Sequence, residues 1–290
     1  MRWTYGRESD NVEDARGGGG IGGPAVIGGG GIGIVVLALV AMFFGVDPRV
    51  VLNGVGGGSQ DAGYQQPAQP AQDAGPQGEQ VKFVRLVLGS TEDVWGDLFR
   101  QMNARYDPPK LVLFSGGVQS GCGAAQSATG PFYCPADQKV YLDLSFFNEL
   151  SQRFGAPGDF ARAYVIAHEV GHHVQDELGI TRKVESARRQ AGQEQANQLS
   201  VMVELQADCL AGVWANHANQ KQKLLEPGDV QEGIQAAAAV GDDRLQKQSR
   251  GYVVPDSFTH GSSAQRVRWF RRGIESGDIG ACNTFGASQL

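Results

Sequence analysis

Two histidines stand four residues apart in Ala163-Tyr-Val-Ile-Ala-His168-Glu-Val-Gly-His172, an apolar run without proline. On a helix that spacing stacks both imidazoles on one face. A packed helix cannot bury two imidazoles and a carboxylate without partners. The segment therefore demands a fold that brings further polar groups to it. Convergence on one metal ion satisfies both rings, and imidazole nitrogen suits zinc. Glu169 projects beside the pair and is placed to accept a proton from a water held there. Gly171 weakens the helix, so it implies close approach of another segment. His173 lies about 100° further round the helix. It is expected at the surface or behind the ligands.

A zinc that performs chemistry takes three protein ligands and keeps one open position. Glu204, in Val203-Glu-Leu-Gln-Ala-Asp208, is the leading candidate for the third ligand. Glu204 and Asp208 also share a helix face, and Val201, Val203, Leu205, Leu210 and Ala211 make that helix apolar around much of its circumference. Glu204 can bind the ion while Asp208 accepts a hydrogen bond from a ligand histidine and fixes its ring. His260 or His217 could complete a three-histidine site instead, although their spacing lends no support.

The chain has 290 residues and a net charge of -6, which argues against a nucleic-acid partner. Residues 1–24 form a polar, then glycine-rich, tail. No charge occurs between residues 17 and 46, and residues 32–44 are almost wholly apolar. The stretch 25–46 approaches the roughly 20 residues that cross a bilayer. It reads as one transmembrane helix, in preference to a cleaved signal peptide or a buried core helix. Arg2, Arg7 and Arg16 precede it and Arg49 follows. That slight bias favours a cytoplasmic N-terminus and an exported C-terminal domain. Residues 47–79, rich in Gly, Gln and Pro, read as a disordered linker.

The folded domain is expected over 80–290. Helical spacing covers 81–88 and 91–102, with Thr91 as a cap for the second. Residues 111–114 and 140–144 read as strands. Helices follow over 159–178, 194–220, 230–248 and 264–275. Strands early and helices late give an α+β class, mainly helical with a small sheet. Asp242-Asp243 reads as a helix-breaking turn. Cys122, Cys134, Cys209 and Cys282 are either reduced, buried side chains or disulfides. An even count after a membrane segment favours disulfides. A Cys122–Cys134 bond would close a short loop, and a Cys209–Cys282 bond would tie a late helix to the C-terminus.

The pattern His168-Glu-Val-Gly-His172 with Glu204-Leu-Gln-Ala-Asp208 resembles the gluzincin arrangement of metallopeptidases. It includes the Glu-x-x-Ala-Asp form of CaaX-prenyl endopeptidases and HtpX-type proteases. Nearly the whole chain is similar to the bacterial neutral zinc metallopeptidase family. The likeness extends through Arg7-Glu-Ser-Asp-Asn-Val-Glu-Asp14, Gly130-Pro-Phe-Tyr-Cys-Pro135, Tyr141-Leu-Asp-Leu144, Gly241-Asp-Asp243 and Phe258-Thr-His-Gly261. The resemblance implies a membrane-anchored peptidase of zincin-like fold with one zinc per chain. It implies hydrolysis of peptide or protein substrates by a zinc-activated water with Glu169 as base. His260 or Tyr252 would stabilise the oxyanion. Arg266 reads as a helix-surface arginine, in preference to a partner of an acid near the site. By analogy, residues 140–144 would form an edge strand that holds a peptide. The main alternative is an inactive, zinc-stabilised scaffold at the membrane, and another is a zinc hydrolase of cell-wall peptides.

Overall fold

The computed structural model describes residues 1–3, 6–17 and 76–290. The expected transmembrane helix at 25–46 lies outside these residues, as does most of the expected linker. Among the described residues no helix is long and apolar enough to cross a membrane.

Strand β1 (Val12–Asp14) is followed by helix α1 (Pro76–Gln101), which begins within the stretch expected to be linker. Strands β2 (Lys110–Phe114), β3 (Gly117–Ser120), β4 (Gly123–Gln126), β5 (Phe132–Cys134) and β6 (Lys139–Asp143) come next. Helices α2 (Phe146–Gln152), α3 (Asp159–Glu177), α4 (Ile180–Gln190), α5 (Gln193–Gln222), α6 (Asp229–Ala239), α7 (Asp242–Arg250) and α8 (Ser263–Ser276) complete the main elements. The class is α+β and mainly helical.

The principal sheet has the order β1-β2-β6-β5. The first three strands are parallel, and β5 runs antiparallel to β6. Strand β6 is therefore internal, contrary to the expected peptide-holding edge at 140–144. The open edge on that side is β5. Its inward residues explain the placement: β2 and β6 bury Leu111, Leu113, Val140 and Leu142 in the core shared with the helices, while Val112, Phe114 and Tyr141 form a second cluster under the β3–β4 hairpin. Burial on both faces is what a parallel pair needs.

Two helix boundaries differ from the sequence reading. Gly89-Ser90-Thr91 does not interrupt α1. The Thr91 hydroxyl bonds back to the Leu88 carbonyl at 2.7 Å, so it continues the helix and caps nothing. The single helix expected over 230–248 breaks at Gly241 into α6 and α7. Asp242 and Asp243 occupy the first turn of α7, where the helix dipole favours acids.

Helix α3 is buried along nearly its whole length, as expected of a helix that packs on all sides. It lies between α1, α5, α6 and the sheet. Its first turn leaves amide donors without helical partners. The Glu232 carboxylate accepts one of them, Phe160 N, at 3.0 Å. A Cβ at Gly171 would stand 3.0 Å from the Ala207 carbonyl oxygen. The missing side chain is what lets α5 lie directly against the His168–His172 face of α3.

Both candidate disulfides are formed, Cys122–Cys134 and Cys209–Cys282, with Cα atoms 5.8 and 5.5 Å apart. The first ties the hairpin to β5, and the second ties α5 to the C-terminal segment. The larger loop, 73 residues, confines the unfolded chain more. Replacing Cys209 and Cys282 by Ala is expected to destabilise the protein by about 4 kcal/mol, against about 3 kcal/mol for the shorter loop. Urea unfolding of both variants would check this ordering, and equal losses would contradict it.

Candidate metal centre

Helix α3 presents His168 and His172 toward α5, and α5 presents Glu204 back toward them. One ligand atom from each of the three lies within 4.8 Å of the others. Nε2 of His168 is 3.2 Å from Glu204 Oε2, and Nε2 of His172 is 3.5 Å from Glu204 Oε1. Two imidazoles and one carboxylate fit zinc by type and number.

Each histidine is held from behind. His168 Nδ1 donates to Asp208 Oδ1 at 2.9 Å. His172 Nδ1 donates to Gln175 Oε1 at 2.9 Å. Both bonds orient an Nε2 toward Glu204, the arrangement that fixes ligand histidines in metal sites. Asp208 is fully buried and takes a bidentate pair from Arg266, at 2.8 Å from Nε and 2.9 Å from Nη2, and a further bond from the Tyr164 hydroxyl. Arg266 is thus no surface residue, since 3 % of it is exposed. It sits on α8 beneath the site and pairs with the acid that orients His168.

The electrostatics follow from this packing. Burial alone would raise the Glu204 carboxyl, but His172, His260 and the bond to His168 hold it well below the usual range. Burial opposes a charged His168, yet bonds to Asp208 and Glu204 outweigh it and raise the ring to about 10. Burial also works against Asp208, and Arg266 keeps it ionised. The site therefore sets ionised Glu204 and Asp208 against a charged His168 and Arg266, and His168 must lose a proton before its ring can bind a metal.

Glu169 is buried beside His168 and has no hydrogen-bond or ion-pair partner among the described residues. Its oxygens are not engaged by the fold, as a base requires. His260 lines one groove with His172 and Glu204, a cavity of about 540 Å³ that also includes Tyr133 and Pro135 at β5. His260 is not part of the three-ligand cluster. Asp242 holds its loop: one carboxylate oxygen accepts from the backbone N–H groups of Thr259, His260 and Gly261 at 2.7, 2.7 and 3.0 Å. The other lies 3.3 Å from His260 Nδ1. Asp242 is fully buried, so the sequence reading of a simple turn misses its role as the anchor of that loop. Burial disfavours a charged His260, but Glu204 and Asp242 overcome this and raise it.

Three other candidates fall elsewhere. Tyr252 is 62 % exposed and does not line the groove. His217 Nε2 contacts the Gly277 carbonyl at 2.8 Å. His173 is buried rather than superficial: Nε2 donates to the Asp107 carbonyl at 2.7 Å, and Nδ1 faces the Tyr133 hydroxyl at 3.2 Å. Burial lowers its pKa.

Gln175 was not singled out in the sequence, although it stands three residues after His172 on the same helix face. Its amide nitrogen donates to the Val203 carbonyl at 2.8 Å and to Gln206 Oε1 at 3.0 Å. That anchoring determines which end of the amide meets His172. Gln175→Leu should keep the fold and lower zinc affinity about 10- to 100-fold. Competition with a chromogenic chelator measures this, and unchanged affinity would show that His172 needs no such support.

Residues 1–285 match the family described as "Putative neutral zinc metallopeptidase". The chain belongs to this family. It is 52% identical over 297 residues to Uncharacterized protein YpfJ of Escherichia coli (strain K12), spanning 99% of this chain and 100% of that relative. It is 42% identical over 260 residues to Uncharacterized protein Rv2575 of Mycobacterium tuberculosis (strain ATCC 25618 / H37Rv), spanning 86% of each. No solved structure matches the chain.

Proposed function

We propose that this chain is a zinc-dependent endopeptidase of gluzincin type, attached to a membrane through the apolar stretch at 25–46. The observation that carries the reading is the convergence of His168, His172 and Glu204, with both rings braced from behind. Two disulfides support placement of the domain in an oxidising compartment.

His168, His172 and Glu204 would hold the ion. Zinc supplies Lewis acidity, which acidifies water and polarises a carbonyl oxygen. Glu169 takes the proton of the attacking water and delivers it to the leaving amine. His260, fixed by Asp242, donates to the oxygen that gains negative charge. The substrate backbone lies along β5, the open sheet edge beside the groove, in an added-strand manner. A three-ligand helix pair beside an open sheet edge supports the zincin-like assignment.

The test is the zinc content of the full-length protein beside its Glu204→Ala variant, by elemental mass spectrometry. One zinc per chain is expected for the wild type, with loss of most of it in the variant. Loading metal-depleted protein near pH 7 should release protons. His168, raised to about 10, is protonated there and must give up its proton to bind. Folded wild-type protein without zinc would remove the basis of the proposal.

A further inference from the structure

The residues before the apolar stretch are built into the same body as the residues after it. Strand β1 is an integral strand: Val12, Glu13 and Asp14 pair in parallel register with Leu111, Val112 and Leu113. Leu111 N donates to the Asn11 carbonyl, and Ala15 N donates to the Leu113 carbonyl, both at 2.8 Å. Upstream, Ser9 N donates to the Arg85 carbonyl at 3.0 Å, and the Arg85 guanidinium returns a bond to the Ser9 carbonyl at 3.1 Å.

The body is shaped to receive this segment. Glu92, buried on α1, accepts from Arg7 at 2.6 Å, Ser9 at 2.5 Å and Asn11 at 2.8 Å. All three of these donors come from the N-terminal segment. A Cβ at Gly89 would lie 2.2 Å from the Arg7 carbonyl oxygen. A glycine in a helix interior costs stability, and at Gly89 the close passage of residues 7–9 accounts for it. Without the segment, β2 would present an unpaired edge, and Glu92 would lose its donors.

A single crossing between residues 17 and 76 would put β1 and β2 on opposite sides of a membrane. Two strands of one ladder cannot be so separated. Two helical crossings would need about 40 apolar residues, and the charge-free stretch runs only from 17 to 46. We propose that residues 6–17 and 76–290 fold in one compartment, on the same side of any membrane that the protein meets. This differs from the sequence reading, which set a cytoplasmic N-terminus apart from an exported C-terminal domain. The excess of three arginines before the stretch over Arg49 after it is slight, and the pairing of β1 with β2 outweighs it.

Labelling of the full-length protein in its membrane decides the matter, independently of zinc or activity. Glu8 and Arg189 are both exposed. Glu8→Cys and Arg189→Cys are made separately and expressed in bacteria with a permeabilised outer membrane. Each is treated with a membrane-impermeant maleimide, and the yield is normalised to that after lysis. Matching yields within about twofold, whether both high or both low, support one compartment. Labelling at 189 with position 8 protected at least tenfold until lysis, or the reverse, would overturn the proposal.

Discussion

Glu169→Gln is expected to abolish hydrolysis while leaving zinc in place. The glutamine has nearly the same shape and cannot take a proton from water. Loss of a positioned general base lowers rates by about 10²- to 10⁴-fold. Metal content should be unchanged, because the ligand cluster is His168, His172 and Glu204 and does not include Glu169. The measurement pairs turnover of an unfolded-protein and cell-wall peptide panel with zinc analysis of the same sample. A variant within tenfold of wild-type activity would remove Glu169 from the chemistry. Zinc-loaded wild-type protein that cleaves nothing in the panel would leave the scaffold reading in its place. The panel also separates a protease from a hydrolase confined to cell-wall peptides.

Arg266→Met should produce the largest loss of stability among single changes near the site. Asp208 has no solvent exposure and takes two bonds from Arg266. Removing one partner of a buried pair leaves an uncompensated charge and costs about 3 to 5 kcal/mol. The lower end is expected here, because His168 still donates to Asp208. Urea unfolding in excess chelator would measure the difference without a contribution from zinc. The sign with pH follows from Asp208. Its folded pKa is depressed, so its stabilising contribution is present above the unfolded value and disappears as pH falls through the folded one. The gap between wild type and variant should therefore be full at neutral pH and narrow below about pH 4. A loss under 1 kcal/mol at pH 7, or a gap that widens in acid, would contradict the assignment.

How much of this was legible in the chain depends on the range of each interaction. His168 with His172, and Glu204 with Asp208, are pairs within single helices, so spacing alone places each pair on one face. That Glu204 meets both histidines needs the packing of α3 on α5, which Gly171 hints at and the structure supplies. Arg266 lies far along the chain from Asp208 and resembles any charged residue of an amphipathic helix. Only its burial reveals its partner. The internal position of β6 was hidden for a related reason: a short, largely apolar strand does not say how many neighbours it has. The break expected near Gly89 read a local glycine and threonine as punctuation, whereas Gly89 answers to residues 7–9. In the same way Asp242-Asp243 reads as a turn until Asp242 is seen to gather three amides from the loop of His260.

The support of His172 has a consequence for reduction of the protein. Gln175 is steadied by Gln206, and Gln206 donates to the carbonyl of Cys282 at 3.0 Å. Cys282 is itself joined to Cys209. Counting Arg266 with them, the braces of both histidines draw on residues far downstream of α3 in sequence. Cleavage of the Cys209–Cys282 bond would therefore slacken the ring of His172 through Gln206 and Gln175, although neither cysteine lines the groove.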